Sequence, residues 1–202
     1  GHADSPLNTA TSDIQRMNLR ASAILNHHLA RVLQCRKPHD LSLTSDIRVQ
    51  LIQFVTDISK SYGPAKFHNY EHAIHVMTSM NKLLSMAVNE APFSSFALTL
   101  SALIHDAGHT GMSNALLRST GHDLSNKYDQ NVPVAEMNSI EIGMQTLFKP
   151  EYASLRWAII PGEVDKVCFA KILFQSILVT DIATKENVQM NVQRYEASQK
   201  GE

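Results

Sequence analysis

Five of the ten histidines in this 202-residue chain fall between Phe67 and Gly111. His68, His72 and His75 stand in the word FHNYEHAIHV, and His105 and His109 in ALIHDAGHTG. Asp106 directly follows His105. Imidazole nitrogens beside a carboxylate are the donors that zinc and harder divalent cations take. The pairs His68/His72 and His105/His109 are each four residues apart, a spacing that turns both rings to one face of a helix. A pair so placed can serve one polar pocket. His105-Asp106 closes a largely apolar run, Phe93 to Ile104, of the kind that forms a buried helix. An ionised Asp in that position loses its hydration and requires a compensating cation, either a metal or a buried Arg. Its two oxygens can also bridge two metals, which a neutral imidazole cannot do.

The other histidines read as ordinary. His2 follows Gly1 in what looks like a cloning remnant, and is set aside. His27 and His28 are adjacent, so a helix points them about 100° apart. They read as a surface residue and a satisfied core-edge residue respectively. His39 beside Pro38 and His122 in a polar loop are given no chemistry. His75 is one turn from His72 but also adjoins the apolar Val76-Met77 pair, and both readings stay open.

The elements that must position these residues are helices. Residues 1–11 are small and polar and are expected to be loose; residues 12–202 are expected to form one helical domain. Ser12 can cap a helix to about Gln34, with Ile14, Met17, Ala21, Ile24 and Leu25 at helical spacing. Cys35 to Leu43 holds Pro38 and reads as a linker. Thr44-Ser45 opens a second helix, and Gly63-Pro64 ends it. An amphipathic helix follows Asn69, with Ala73, Val76, Met77, Met80, Leu83 and Leu84 on its apolar side. After the buried run to Ile104, Gly108 and Gly111 open a loop. Ser113–Arg118 is a short helix, and Thr120–Asn131 is turn-like. Pro133 starts a helix through Phe148, and Pro150–Gly162 holds a short amphipathic piece. The last helix runs from about Glu163 to Glu186 or beyond, apolar nearly all round. No stretch alternates as a strand does, and no repeat is visible, so the class is all-α, a compact bundle of about seven helices.

Composition narrows the partners. The net charge of −1 gives no broad basic face, so polymeric nucleic acid is not an expected partner. Charged residues make up 18% of the chain, a low share that leaves room for further domains or a dimer partner. Cys35 and Cys168 are far apart and form no metal-binding or redox pair; two free thiols in a reduced cytoplasmic protein are expected. No apolar run approaches the ~20 residues of a membrane span.

The words around the histidines go further than their spacing. HN-x-x-HA-x-x-V is followed by HD-x-x-H-x-G-x-x-N, then Tyr128, then V-x-E ending at Glu136, then VTDIA from Val179. His72 and His105-Asp106 match the ligand order of the HD superfamily of metal-dependent phosphohydrolases. The whole set, over about residues 45–195, resembles the class I cyclic nucleotide phosphodiesterases. That resemblance implies a multi-helix fold of the HD type. It implies hydrolysis of 3′,5′-cyclic nucleotides, cAMP or cGMP, to 5′-monophosphates, with two divalent metals, zinc and magnesium (or manganese). His72, His105 and Asp106 resemble the metal ligands, with Asp106 bridging. His68 resembles the general acid. His109, Glu136 and Thr180 resemble the groups that hold waters around the metals, while Asn69 and Asp181 match motif positions with orienting roles.

Four positions depart from the family pattern. Phe67 stands where Tyr is usual, His75 where an acidic residue is usual, Gly108 where Asp is common, and Asn138 where a His is usual. The family's catalytic domain also continues past the helix containing Thr180-Asp181, and that later part supplies a fourth metal ligand and the residues that hold the purine. The chain is thus expected to carry the earlier part of such a domain. The competing expectation is a degenerate homologue acting as a metal- or nucleotide-binding regulatory module. Another HD-type phosphohydrolase is a third, and the HN-x-x-H word argues against it.

Overall fold

The computed structural model describes residues 6–36, 43–88, 90–181 and 189, with side chains from residue 11 onward. Every regular element among these is helical. The order is α1 (Pro6–Arg36), α2 (Ser45–Lys60), α3 (Tyr70–Met86), α4 (Pro92–Ile104), α5 (Asn114–Ser119), α6 (Asp123–Lys127) and α7 (Val134–Leu147). A single 3-10 turn (Pro150–Tyr152) leads into α8 (Ala153–Ile159) and α9 (Glu163–Leu178).

Helix α4 lies at the centre, packed by α1, α3, α7 and α9. Pro92 starts it, where a missing N–H costs nothing. From Ser95 to Ile104 every residue is buried except Leu98, which is half-buried. Two buried hydroxyls are satisfied within the helix, Thr99 donating to the Ser95 carbonyl at 2.7 Å and Ser101 to that of Ala97 at 2.8 Å, while Ser95 donates to Glu90 Oε2 at 2.6 Å. Around α4 the core is built from Leu25, Leu29 and Leu33 of α1, Phe54 and Ile58 of α2, and Phe169, Leu173 and Ile177 of α9. Helix α7 comes so close to α4 that a Cβ on Gly143 would lie 2.5 Å from Ile104 Cδ1. A smaller cluster of Leu117, Val134 and Ala135, flanked by Met112, Leu124 and Tyr128, ties α5 and α6 to the start of α7.

Several boundaries differ from the sequence expectation, each for a local reason. Helix α1 begins at Pro6 rather than at a Ser12 cap, with proline in a first turn where its fixed φ suits helix. It also runs through Cys35 to Arg36; the rest of the expected linker, with His39, lies outside the described residues (37–42). Within the stretch expected to be turn-like, α6 forms because the His122 side chain accepts from the Leu124 N–H and caps it. Helix α9 stops at Leu178 instead of reaching Glu186. The Thr180 hydroxyl donates to the Ile177 carbonyl at 2.7 Å there, an alternative to a further helical turn; residues 182–186 lie outside the described residues. Nor is α9 buried all round: Val164 and Val167 are exposed and only Phe169, Leu173 and Ile177 are buried.

Other expectations hold. His27 is exposed, and His28 is buried with its Nε2 sharing a 2.8 Å bond with Asn81 Oδ1 that joins α1 to α3; the ring is satisfied on that side only, since its Nδ1 has no hydrogen-bond partner among the described residues. Burial lowers the His28 pKa, which keeps the ring neutral. Cys35 and Cys168 are free and exposed. No described helix is long and apolar enough to cross a membrane.

Asp57 ties α2 to the turn between α7 and α8. It accepts from Lys60 Nζ at 2.9 Å, Lys149 Nζ at 3.1 Å and the hydroxyl of fully buried Tyr152 at 2.8 Å. Burial works to raise its pKa, but the bonds from Lys60, Tyr152 and Lys149 prevail and bring it from 3.8 to about 2. A carboxylate with a depressed pKa adds stability above its unfolded value and loses it as pH falls through the folded one. Stability should therefore drop between about pH 4 and pH 2, and Asp57→Asn should flatten that drop while costing about 1 kcal/mol near neutrality. Urea unfolding at a series of pH values measures both.

Candidate active site

The chain brings its histidines to one cleft through three devices. First, Asn69 caps α3: its Oδ1 accepts the His72 N–H at 2.9 Å, and its Nδ2 donates to the Ala65 and Lys66 carbonyls at 3.3 and 3.2 Å. That cap sets His72 in the first turn of α3 and holds the loop carrying His68 beside it. Second, α4 ends at Ile104 with His105 as its C-cap, so Asp106 emerges from the core rather than from solvent. The Tyr62 hydroxyl donates to the Leu103 carbonyl at 2.6 Å and anchors that helix end. Third, Gly108 turns the chain with φ +72°, and a Cβ there would lie 2.4 Å from Ile142 Cδ1 and 2.8 Å from Asn138 Nδ2. Two of the positions that depart from the resembled pattern, Gly108 and Asn138, thus fit against each other.

Three imidazole nitrogens converge on one oxygen. Asp106 Oδ2 lies 2.9 Å from His68 Nδ1, 3.1 Å from His105 Nε2 and 3.6 Å from His72 Nε2. The His105 contact decides what the site can hold. His105 Nδ1 lies 2.9 Å from the Ala102 carbonyl oxygen, which can only accept, so Nδ1 carries the proton. The neutral ring then presents the Nε2 lone pair to a carboxylate oxygen that also offers only lone pairs. A cation must lie between them, either a shared proton or a metal. The donor set of two imidazoles and a carboxylate, all with ligand atoms within 4.8 Å of one another, fits a divalent metal. His68, Asp106 and His109 form a second such group that shares the same aspartate.

Electrostatics follow from this crowding. Burial raises the Asp106 pKa, but hydrogen bonds and charge from His105 and His68 outweigh it and hold the group well below the carboxylate range. Burial lowers the His105 pKa, the bond to Asp106 raises it, and the net shift is upward. His72 is shifted down by burial and by the nearby His105, and His109 by burial and His68. His68 and His109 stack with ring centres 3.8 Å apart. The His109 Nδ1 accepts the Gly111 N–H at 2.9 Å, which places its proton on Nε2. Exposed Phe67 lies against His72, ring centres 4.4 Å apart.

These residues floor a cleft of about 830 Å³ whose walls include Phe67, Val76, Met112, Glu136, Thr180 and Asp181. His75 is exposed and does not line it. Glu136, in the first turn of α7, and Thr180, just past α9, reach the cleft from elements remote in sequence.

A sequence model of the 3′5′-cyclic nucleotide phosphodiesterase family matches residues 67–202, the stretch that contains every one of these groups. The chain belongs to this family. It is 30% identical over 105 residues to 3′,5′-cyclic-nucleotide phosphodiesterase 2 of Saccharomyces cerevisiae, a match covering 52% of this chain and 20% of that protein. It is 28% identical over 103 residues to the cGMP-specific 3′,5′-cyclic phosphodiesterase of Drosophila melanogaster, covering 50% of this chain and 9% of that protein. Its fold is similar to the solved phosphodiesterase domain of the RhoPDE fusion protein from the choanoflagellate Salpingoeca rosetta. That similarity has a TM-score of 0.68 at 20% identity and covers 91% of this chain and 53% of the other. The chain thus spans about half of that solved phosphodiesterase domain and a fifth or less of the curated relatives.

Asn114 also lines this cleft. The last letter of the HD-x-x-H-x-G-x-x-N word, it bonds across to α7 and to the end of α9. Its partners are 21, 22 and 67 residues away, a range that no local pattern reports.

The Asn69 cap is testable by itself. Asn69→Ala should cost about 1 kcal/mol of stability in denaturant unfolding. Asn69→Asp, which keeps the acceptor for the His72 N–H but sets an oxygen against the Ala65 and Lys66 carbonyls, should recover only part of that loss.

Proposed function

We propose that this chain carries the metal-binding part of an enzyme that hydrolyses 3′,5′-cyclic nucleotides to 5′-nucleoside monophosphates. The carrying observation is the approach of His68, His72 and His105 to the single oxygen Asp106 Oδ2. On this reading His72, His105 and Asp106 would hold one divalent cation, and Asp106 would also serve a second. Zinc and magnesium are the expected pair, with manganese as a substitute for the latter. Such cations lower the pKa of a water and stabilise negative charge on phosphoryl oxygens.

The chain's own groups supply the rest. Asp106, held ionised by its neighbours, brings a fixed negative charge to a cleft that must attract cations and yet admit a phosphate. His68 has Nδ1 engaged by Asp106 Oδ2, so its Nε2 is the nitrogen that can pass a proton to the departing 3′ oxygen as the P–O3′ bond breaks. His109 stacks on His68 and limits its rotation. Glu136, Thr180 and His109 line the cleft, and on this reading they would hold water by hydrogen bonds. Phe67 and Val76 give the mouth an apolar side on which a nucleoside can rest.

The test is turnover of cAMP and of cGMP by the chain with magnesium or manganese and trace zinc, against a chelator control. Turnover should be chelator-sensitive, and Asp106→Asn should lower it more than about 100-fold. His68→Ala should lower kcat about 10²–10⁴-fold while leaving metal affinity nearly unchanged. Full activity of Asp106→Asn would overturn the reading. Metal binding without any turnover would favour the alternative, a binding module that regulates rather than catalyses.

A further inference from the structure

Asn114 opens α5 with both ends of its amide in use. Its Oδ1 accepts the Ala135 N–H at 2.9 Å. Its Nδ2 donates to Glu136 Oε2 at 2.8 Å and to Asp181 Oδ2 at 3.0 Å. Chemistry fixes the orientation of this amide. The reverse would set its carbonyl oxygen against two carboxylates and its NH₂ against an N–H. Ala135 N is one of the unpaired donors at the start of α7, and Pro133 before it provides no side-chain cap. A residue of another helix therefore fills that place.

The same amide settles a charge arrangement that would not otherwise persist. One nitrogen bonds to both Glu136 and Asp181, so the two carboxylates stand side by side, and both line the cleft that Asp106 floors. Like charges so close disfavour ionisation of each other. Burial raises the Glu136 pKa, the Asn114 bond lowers it, and the charges of Asp181 and Asp106 raise it further. Because an amide is neutral, it orients the pair without cancelling its charge. Aspartate at 114 could take the Ala135 N–H but would repel both carboxylates, and glutamine would overreach by one methylene.

We propose that Asn114 is a positioning residue that clamps Glu136 and Asp181 together on the cleft wall, so that their joint charge strengthens divalent-cation binding beside Asp106. The inference rests on the reading of this cleft as a divalent-metal site.

Manganese titration of the 202-residue chain, with the free ion followed by electron paramagnetic resonance, tests it. Asn114→Ala should weaken manganese binding about 10-fold or more, the scale of losing an outer partner of a metal site, with helical circular dichroism retained. In a Glu136→Gln/Asp181→Asn background the same substitution should change affinity less than about 2-fold, because no charge remains for the amide to orient. Should Asn114→Ala fail to fold, Asn114→Ser keeps an acceptor for Ala135 and one donor, and should show a smaller loss with the same dependence on background. Unchanged affinity in the single variants overturns the proposal. So does an equal loss in both backgrounds, which would mark Asn114 as a general support of the fold. If the unaltered chain binds no manganese, or Asp106→Asn binds it equally well, the metal-site reading fails and the proposal falls with it.

Discussion

The meeting of the His105 Nε2 lone pair with a buried carboxylate oxygen, 3.1 Å apart, constrains everything around it. With the ring neutral both atoms offer only lone pairs, so only a proton or a metal between them satisfies the two. The Ala102 carbonyl removes the easy escape by holding the ring proton on the opposite nitrogen. What is left is a demand for positive charge at one point. The fold delivers that point by ending its most buried helix just before His105-Asp106. It then closes the surroundings with His68 from the loop before α3, His72 from the first turn of α3 and His109 from the loop after α4.

Packing and chemistry are joined at α4. The hydroxyls of Thr99 and Ser101 are returned to the helix's own carbonyls, so its middle makes no polar demand on the surrounding core. Gly143 lets α7 approach closely enough that Glu136, two turns earlier on the same helix, reaches the cleft while Ile104 still packs. Asn69 performs two tasks with one side chain, starting α3 and holding the His68 loop. The Asn114 amide does the corresponding work on the opposite wall. Both are asparagines for the same reason: each site needs an acceptor for a helix N–H and donors for other oxygens.

Much of this was legible in the residue order. Helical periodicity located α2, α3, α4 and α7. The i, i+4 pairs and Asp106 pointed to the floor of the cleft, although neither pair shares a helix: His68 precedes α3, and His105 and His109 follow α4. The buried end of α4 was readable because the apolar run before His105 is long and almost unbroken. The cleft walls were not readable from spacing: Glu136 and Thr180 entered only through resemblance, and Asn114 stood in a motif with no role attached. Its three bonds cross 21 to 67 residues, and no local signal reports such contacts. Helix α6, five residues capped by a histidine, is too short for periodicity to show. The end of α9 was hidden too, since the hydroxyl of Thr180 competes with the helix there and an apolar pattern carries no trace of that bond.

The central claim is that the imidazoles around Asp106 form a metal site. Zinc-edge X-ray absorption of the chain loaded with one equivalent of zinc addresses it directly. The account expects nitrogen and oxygen donors at about 2.0–2.1 Å with imidazole scattering, lost when Asp106 is replaced by Asn. Sulfur donors from Cys35 or Cys168, or a spectrum that Asp106→Asn leaves unchanged, would contradict it.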